Sequence, residues 1–239
     1  MDLMFGLAMV LGIGPALVLL YLIVRNYTYP KVEQPFFSDA SLFLLFFVGL
    51  IEGSVLFFAM DVFKFASNML LMVLMAAVQV LAMVVVMNLK RYRGKSDSVF
   101  YGYSLGLGMS SGLATGICYT MAAVMQDAPI DASVILLPVM SITLGLILGA
   151  CGTNIGEGIA RHSVMEYSMQ ALLLLVAYNL LFTGMMMEGN TGGVMFYIYM
   201  VGMIVLSAAY FYYILVKKLH NIVREVLRME GNKRDDIPK

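Results

Sequence analysis

Charge is what this sequence has least of. Only 13% of its 239 residues are Asp, Glu, Lys or Arg, against 61% hydrophobic. A soluble domain carries about 25% charged and about 45–50% apolar residues. One soluble core of this size cannot hide that excess, so a soluble globular chain is excluded and a lipid-facing surface is expected. No basic patch alternates with aromatic residues on a polar face, which leaves no signal for nucleic-acid binding. There are two cysteines, Cys118 and Cys151, both inside apolar stretches. They fall toward opposite faces of the expected membrane and read as small buried hydrophobes, not as a disulfide. Histidine is equally scarce, with only His162 and His220. No Ser–His–Asp set, phosphate loop or heme signature is present. The first residues, Met1-Asp2-Leu3-Met4, lack the basic start of a signal peptide, so the first apolar run reads as a retained helix.

What is present is a series of long apolar runs. A helix needs about 20 mostly apolar residues to cross a bilayer. Seven segments qualify, at about 3–24, 41–60, 66–88, 99–126, 131–151, 167–187 and 193–216. The fold class is therefore all-α, a polytopic bundle of seven transmembrane helices over residues 1–216, with a basic tail over 217–239. Lys and Arg orient it. Fourteen of the fifteen fall after helices 1, 3 and 5 or in the tail, and Lys64 stands alone on the other side. The positive-inside rule then puts the N-terminus outside and the tail in the cytoplasm, in a multi-pass protein of the cell membrane. Within the tail, Leu219, Ile222, Val223, Val226 and Leu227 recur at helical spacing among basic residues. That stripe suits either the anionic inner leaflet or a solvated helix end.

Several residues inside the spans need explaining. Gly102, Gly106, Gly108, Gly112 and Gly116 lie on helix 4, with pairs four apart. Small residues at that spacing let another backbone approach, so helix 4 is expected at the bundle centre. Gly145 and Gly149 form a weaker version on helix 5. Glu52 is the one acidic residue deep in a span. An ionised carboxylate there costs at least a few kcal/mol, so it is expected to face the interior, paired or protonated. Its reading is either a substrate, ion or proton contact or a structural hydrogen-bonder. Gln79 and Asn179 lie at similar depth and are candidates to bond Glu52 or each other, as glue between helices. The stretch Gly152–Glu166 reads as a loop in which Glu157/Arg161 and His162/Glu166, each four apart, stabilise a short surface helix. A zinc site needs three or four protein ligands, so His162 and Glu166 alone do not make one.

The order of these motifs resembles the PrsW-type intramembrane protease family. Gly12-Ile13-Gly14-Pro15-Ala16-Leu17, then Tyr27 and Glu33-Gln34-Pro35, is similar to the family's proline-bearing first helix and Glu-Pro loop. Phe46-Phe47-Val48-Gly49 resembles its second-helix motif. Asp97-Ser98-Val99-Phe100-Tyr101-Gly102, continuing to Gly108, resembles the family's entry into helix 4. Leu136-Leu137-Pro138-Val139 and Tyr178-Asn179 fit its fifth and sixth helices, so the resemblance spans roughly residues 5–215. It implies membrane-embedded Glu and His residues that hold a metal and activate water. Those positions fall near Val78-Gln79, Leu113, Ile142 and the run Leu175-Val176-Ala177-Tyr178-Asn179, none of which carries such a ligand. Glu52-Gly53-Ser54 resembles the paired-glutamate motif but sits one helix early.

The expectation is thus a PrsW-like pseudoprotease with no catalytic residue, metal or cofactor. It would bind or regulate membrane partners, among them transmembrane segments of other proteins. The alternatives are a small transporter or channel using Glu52 and, last, an active protease with a relocated metal site.

Overall fold

The computed structural model describes residues 3–32, 35–65, 68–124, 133–188 and 193–231. The Glu33-Gln34 pair, Asp127, Asp131 and the tail beyond residue 231 lie outside the described residues. The described chain is helical and has no strand. Its elements are α1 (Leu3–Val24), α2 (Asp39–Val62), α3 (Met69–Met87), α4 (Asp97–Val124), α5 (Ser133–Ala160), α6 (Val164–Glu188) and α7 (Val194–Phe211). A π-helical segment, Tyr212–Lys218, joins α7 to α8 (Leu219–Met229) without a break. All of these long helices except α4 are long and apolar enough to cross a membrane. The protein is a multi-pass membrane helix bundle.

α4 is the exception because it occupies the middle. It packs against α2 and α5 along most of its length and against α1 besides. Two glycine stripes make this possible. A Cβ on Gly102 or Gly106 would sit 2.1 Å from the carbonyl oxygens of Gly152 and Leu148 on α5. A Cβ on Gly108 or Gly112 would sit 2.0 and 2.4 Å from the carbonyl oxygens of Phe46 and Leu50 on α2. The contact is reciprocal, since Gly49 and Gly53 of α2 and Gly152 and Gly156 of α5 face α4 backbone in the same way. Gly145 and Gly149, by contrast, meet only side chains, of Leu19 and Tyr103. The second helix of the α4–α5 seam therefore contributes Gly152 and Gly156, about two turns beyond the expected pair.

That shift follows from the length of α5, which runs to Ala160 instead of stopping at Cys151. The polar residues that look like loop are buried and satisfied. The Thr153 hydroxyl donates to Gly149 O at 2.8 Å, and Asn154 Nδ2 donates to Tyr167 O at 3.1 Å. Arg161 Nε lies 2.7 Å from Glu157 Oε1, so the expected four-apart pair exists at the end of a long helix. His162 and Glu166 do not share a helix. The chain turns at His162 with φ 59°, and Glu166 lies in the first turn of α6. The imidazole rests against Gly94, whose missing Cβ leaves the room.

The tail is also ordered differently from either expectation. Leu219, Ile222, Val223, Val226 and Leu227 are all buried in the same core as the bundle. The stripe faces protein, not lipid or water. Arg161 Nη2 reaches Glu225 Oε2 at 2.6 Å. The Ser96 backbone N–H and hydroxyl both donate to the Glu230 carboxylate. A π turn is one residue wider than an α turn, which carries the buried line from Met203, Ser207 and Tyr210 through Ile214 and Leu215 to Leu219. Residue 217 is accordingly no structural boundary. The α3–α4 loop, the α5–α6 turn and α8, which hold seven of the twelve Lys and Arg among the described residues, thus meet at one end of the bundle. Lys64, with Asp61 at 3.2 Å, lies at the other.

Candidate functional site

α2 and α3 follow each other in sequence but pack apart, α2 on α4 and α3 on α6. Two of the three polar candidates meet where α3 packs on α6. Asn179 Nδ2 donates to Gln79 Oε1 at 3.1 Å and to Met72 O at 3.3 Å. Both N–H groups of the Asn179 amide are thereby used, and Gln79 supplies an acceptor from a neighbouring helix. Beside them the Tyr178 and Thr143 hydroxyls bond to each other at 3.0 Å, and Thr143 also donates to Met140 O at 3.0 Å. Asn179 and Gln79 are each only 3% exposed. A neutral, hydrogen-bonded pair is a form in which polar groups persist at this depth without a large penalty.

A small cavity of about 20 Å³ adjoins this cluster, with Gln79, Leu113, Tyr178, Asn179, Met60 and Phe182 among its walls. That is room for about one water molecule. Above it a larger cleft of about 410 Å³ opens between α2, α4 and α6. Met60, Ile117 and Phe182 belong to the walls of both.

Glu52 joins neither. It is half-buried on α2, its Oε2 is enclosed without a hydrogen-bond partner, and it makes no bond to Gln79 or Asn179. The two amides choose each other. Among the described residues no group of three or more His, Cys, Asp or Glu lies close enough to hold a metal. Cys118 and Cys151 are free, buried and apart, with Sγ contacts to Leu137 O and Ala171 O respectively. His162 stays in its turn beside Gly94.

Sequence reasoning finds Gln79 and Asn179 by their depth but misses Thr143 and Tyr178. Hydroxyls on apolar helices normally bond their own backbone, as Thr183 does to Asn179 O at 3.0 Å, so nothing marks a cross-helix pair. The density of methionine in the sequence was the available signal for the cleft.

The coupling between the amides is measurable. Gln79→Leu leaves an Asn179 N–H buried without its acceptor and is expected to cost about 1–2 kcal/mol. The double variant Gln79→Leu/Asn179→Leu removes donor and acceptor together and should cost clearly less than the two single changes combined. Thermal unfolding of the four proteins in detergent closes the cycle, and strict additivity would mean that the bond contributes nothing.

Comparison with protein families, with curated proteins and with solved structures yields no match.

Proposed function

We propose that this chain is a PrsW-like membrane protein that has no proteolytic activity and binds or regulates membrane partners. The observation that carries the reading is the meeting of Gln79, Leu113, Tyr178 and Asn179 on one water-sized cavity. Gln79, Leu113 and Asn179 stand near the helix 3, helix 4 and helix 6 positions where the resemblance to the protease family expects metal ligands, whereas Tyr178 is a spacer in the helix 6 pattern and Leu175, its other ligand position, is buried away from the cavity walls. Three separated stretches of sequence, aligned only by motif order, arrive at one spot. The helix 5 position departs from this, because Ile142 faces outward while its neighbour Thr143 turns in. In place of ionisable ligands the spot holds a bonded amide pair beside a bonded hydroxyl pair, a set without the imidazole, thiolate or carboxylate that holds a catalytic zinc.

The same reading has seven spans, with α4 crossing inside a collar of α1, α2 and α5. The N-terminus lies outside and α8 lies in the cytoplasm of a cell. The support is the gathering of basic segments at one end of the bundle. Transport through Glu52 finds less support, because Glu52 lines neither cavity.

Amide hydrolysis in a membrane needs an activated water and a stabilised oxyanion, which a metal supplies by lowering the pKa of its water to about 7. The helices carry Glu52, Cys118, Cys151 and, because α5 runs to Ala160, the buried Glu157. Among the described residues no three such groups lie close enough to share a metal. A serine mechanism lacks a histidine base in the membrane. Purified protein in lipid, incubated with a panel of single-span substrates with and without zinc, is therefore expected to leave every substrate intact. Cleavage that persists after removal of contaminating proteases and disappears with Glu52→Gln would overturn the reading.

A further inference from the structure

The cleft of about 410 Å³ lies at the end of the bundle opposite the basic segments. Its apolar walls are Phe57, Met60, Ile117, Met121, Phe182, Met186 and Met187, with Asp61 and Lys64 at the rim. The Thr120 hydroxyl, which also faces it, is committed to the Gly116 and Ile117 carbonyls of its own helix at 3.2 and 3.0 Å. We propose that this cleft holds one hydrocarbon chain of a phospholipid whose zwitterionic headgroup rests on the Asp61–Lys64 pair.

Size separates the occupants. A helix is about 10–12 Å across and rises about 5.4 Å per turn, so one turn alone fills roughly 400–600 Å³. The cleft has room for no more than a single turn, and a whole transmembrane helix stays at its mouth. A flexible chain does fit, because the volume matches roughly fourteen methylene groups if each takes about the 30 Å³ of a water. Water itself is a poor occupant, since each ordered molecule needs two to four polar partners and these walls are apolar. Four of the seven apolar wall residues are methionine, whose unbranched thioether side chains adapt to an irregular, mobile guest. The rim adds a charge criterion. Asp61 and Lys64 lie 3.2 Å apart and are both exposed, so they present one negative and one positive group side by side. A phosphate beside Lys64 and an ammonium beside Asp61 match that pair, whereas a purely anionic head brings a like charge against Asp61. The tip of the chain ends at Met60, Ile117 and Phe182, short of the Gln79–Asn179 amides. This site goes beyond the proposed function and does not depend on it.

The chain contains no tryptophan, so one introduced indole reports alone. Phe57→Trp places it in the cleft, and Val85→Trp places it on the exposed face of α3. The probe is brominated phosphatidylcholine titrated into detergent-solubilised protein. Quenching of Phe57→Trp is expected to saturate near one lipid per protein, while Val85→Trp quenches gradually without saturating. Adding Thr120→Phe, which fills the cleft, should remove the saturable phase. Met187→Trp, a second reporter on another wall, should saturate at the same ratio whether or not the filled variant folds. Brominated phosphatidylglycerol should need at least about five times more lipid for half-saturation. Gradual quenching of both cleft reporters, or saturation that survives a folded Thr120→Phe, overturns the hydrocarbon site. Equal half-saturation by the anionic lipid overturns the headgroup assignment. Displacement of the lipid by an equimolar Leu-Ala single-span peptide would make the cleft a protein-docking groove instead.

Discussion

Gly112→Ala is expected to cost roughly 3 kcal/mol or more, and Gly112→Val to prevent assembly of the bundle. The new Cβ would lie 2.4 Å from Leu50 O, 2.5 Å from Ser54 N and 2.8 Å from Gly53 C. All three are backbone atoms of α2, so no side chain can rotate away and the two helices must separate. Overpacking a core costs about 1–3 kcal/mol where neighbours can shift, and here they cannot without loosening the whole seam. For a chain of this length that corresponds to a fall in Tm on the order of 6–12 °C. Gly14 is the matched control. It lies on α1 with nothing within 4 Å of its would-be Cβ, so Gly14→Ala is expected to be neutral or stabilising by up to about 1 kcal/mol. Thermal unfolding in detergent, followed by size-exclusion chromatography, reads both. Equal behaviour of Gly112→Ala and Gly14→Ala would refute the close α2–α4 seam.

Surface labelling is expected to be all-or-none across the two ends. Lys64→Cys should react with a membrane-impermeant thiol reagent in intact cells. Lys95→Cys and Arg228→Cys should react only after permeabilisation. All three positions are exposed, so access to solvent is not what separates them. The native Cys118 and Cys151 are buried and give a low background. The motive is the fourteen-to-one division of Lys and Arg, since moving basic segments across the membrane is disfavoured. The reverse pattern would invert the orientation proposed for the bundle. Labelling of Lys64 and Lys95 from the same side would contradict the structure itself, which puts them at opposite ends.

The helices were legible because a lipid-spanning segment must satisfy its whole backbone internally, and long apolar runs have no other soluble form. The centre of the bundle was legible too, from the glycine spacing of α4. The far end of α5 was not. Thr153, Asn154 and Glu157 have the polarity of a loop; Thr153 bonds its own helix, and only α6 folded against them, through Tyr167, supplies the partners of Asn154 and Glu157 that make burial tolerable. The tail failed for a similar reason. An amphipathic stripe announces that something covers it but does not say whether that is lipid or protein. At the site, depth along the helices was enough to pick out Gln79 and Asn179. Helix azimuth decides which polar groups meet, and Glu52, at comparable depth, points elsewhere.

The central helix also constrains how the chain is made. Over its described residues, α4 is not among the helices that are apolar enough to cross a membrane by themselves. A nascent chain is offered to the bilayer segment by segment, and each is accepted according to its own apolarity. When α4 emerges, α1 and α2 already exist to receive two of its faces, but the glycines at 102 and 106 await α5. Stable integration of α4 thus depends on sequence translated after it, through the seam that ends near Gly156. α4 is thus the last of the first five helices to be settled, and it is the one around which the others are arranged.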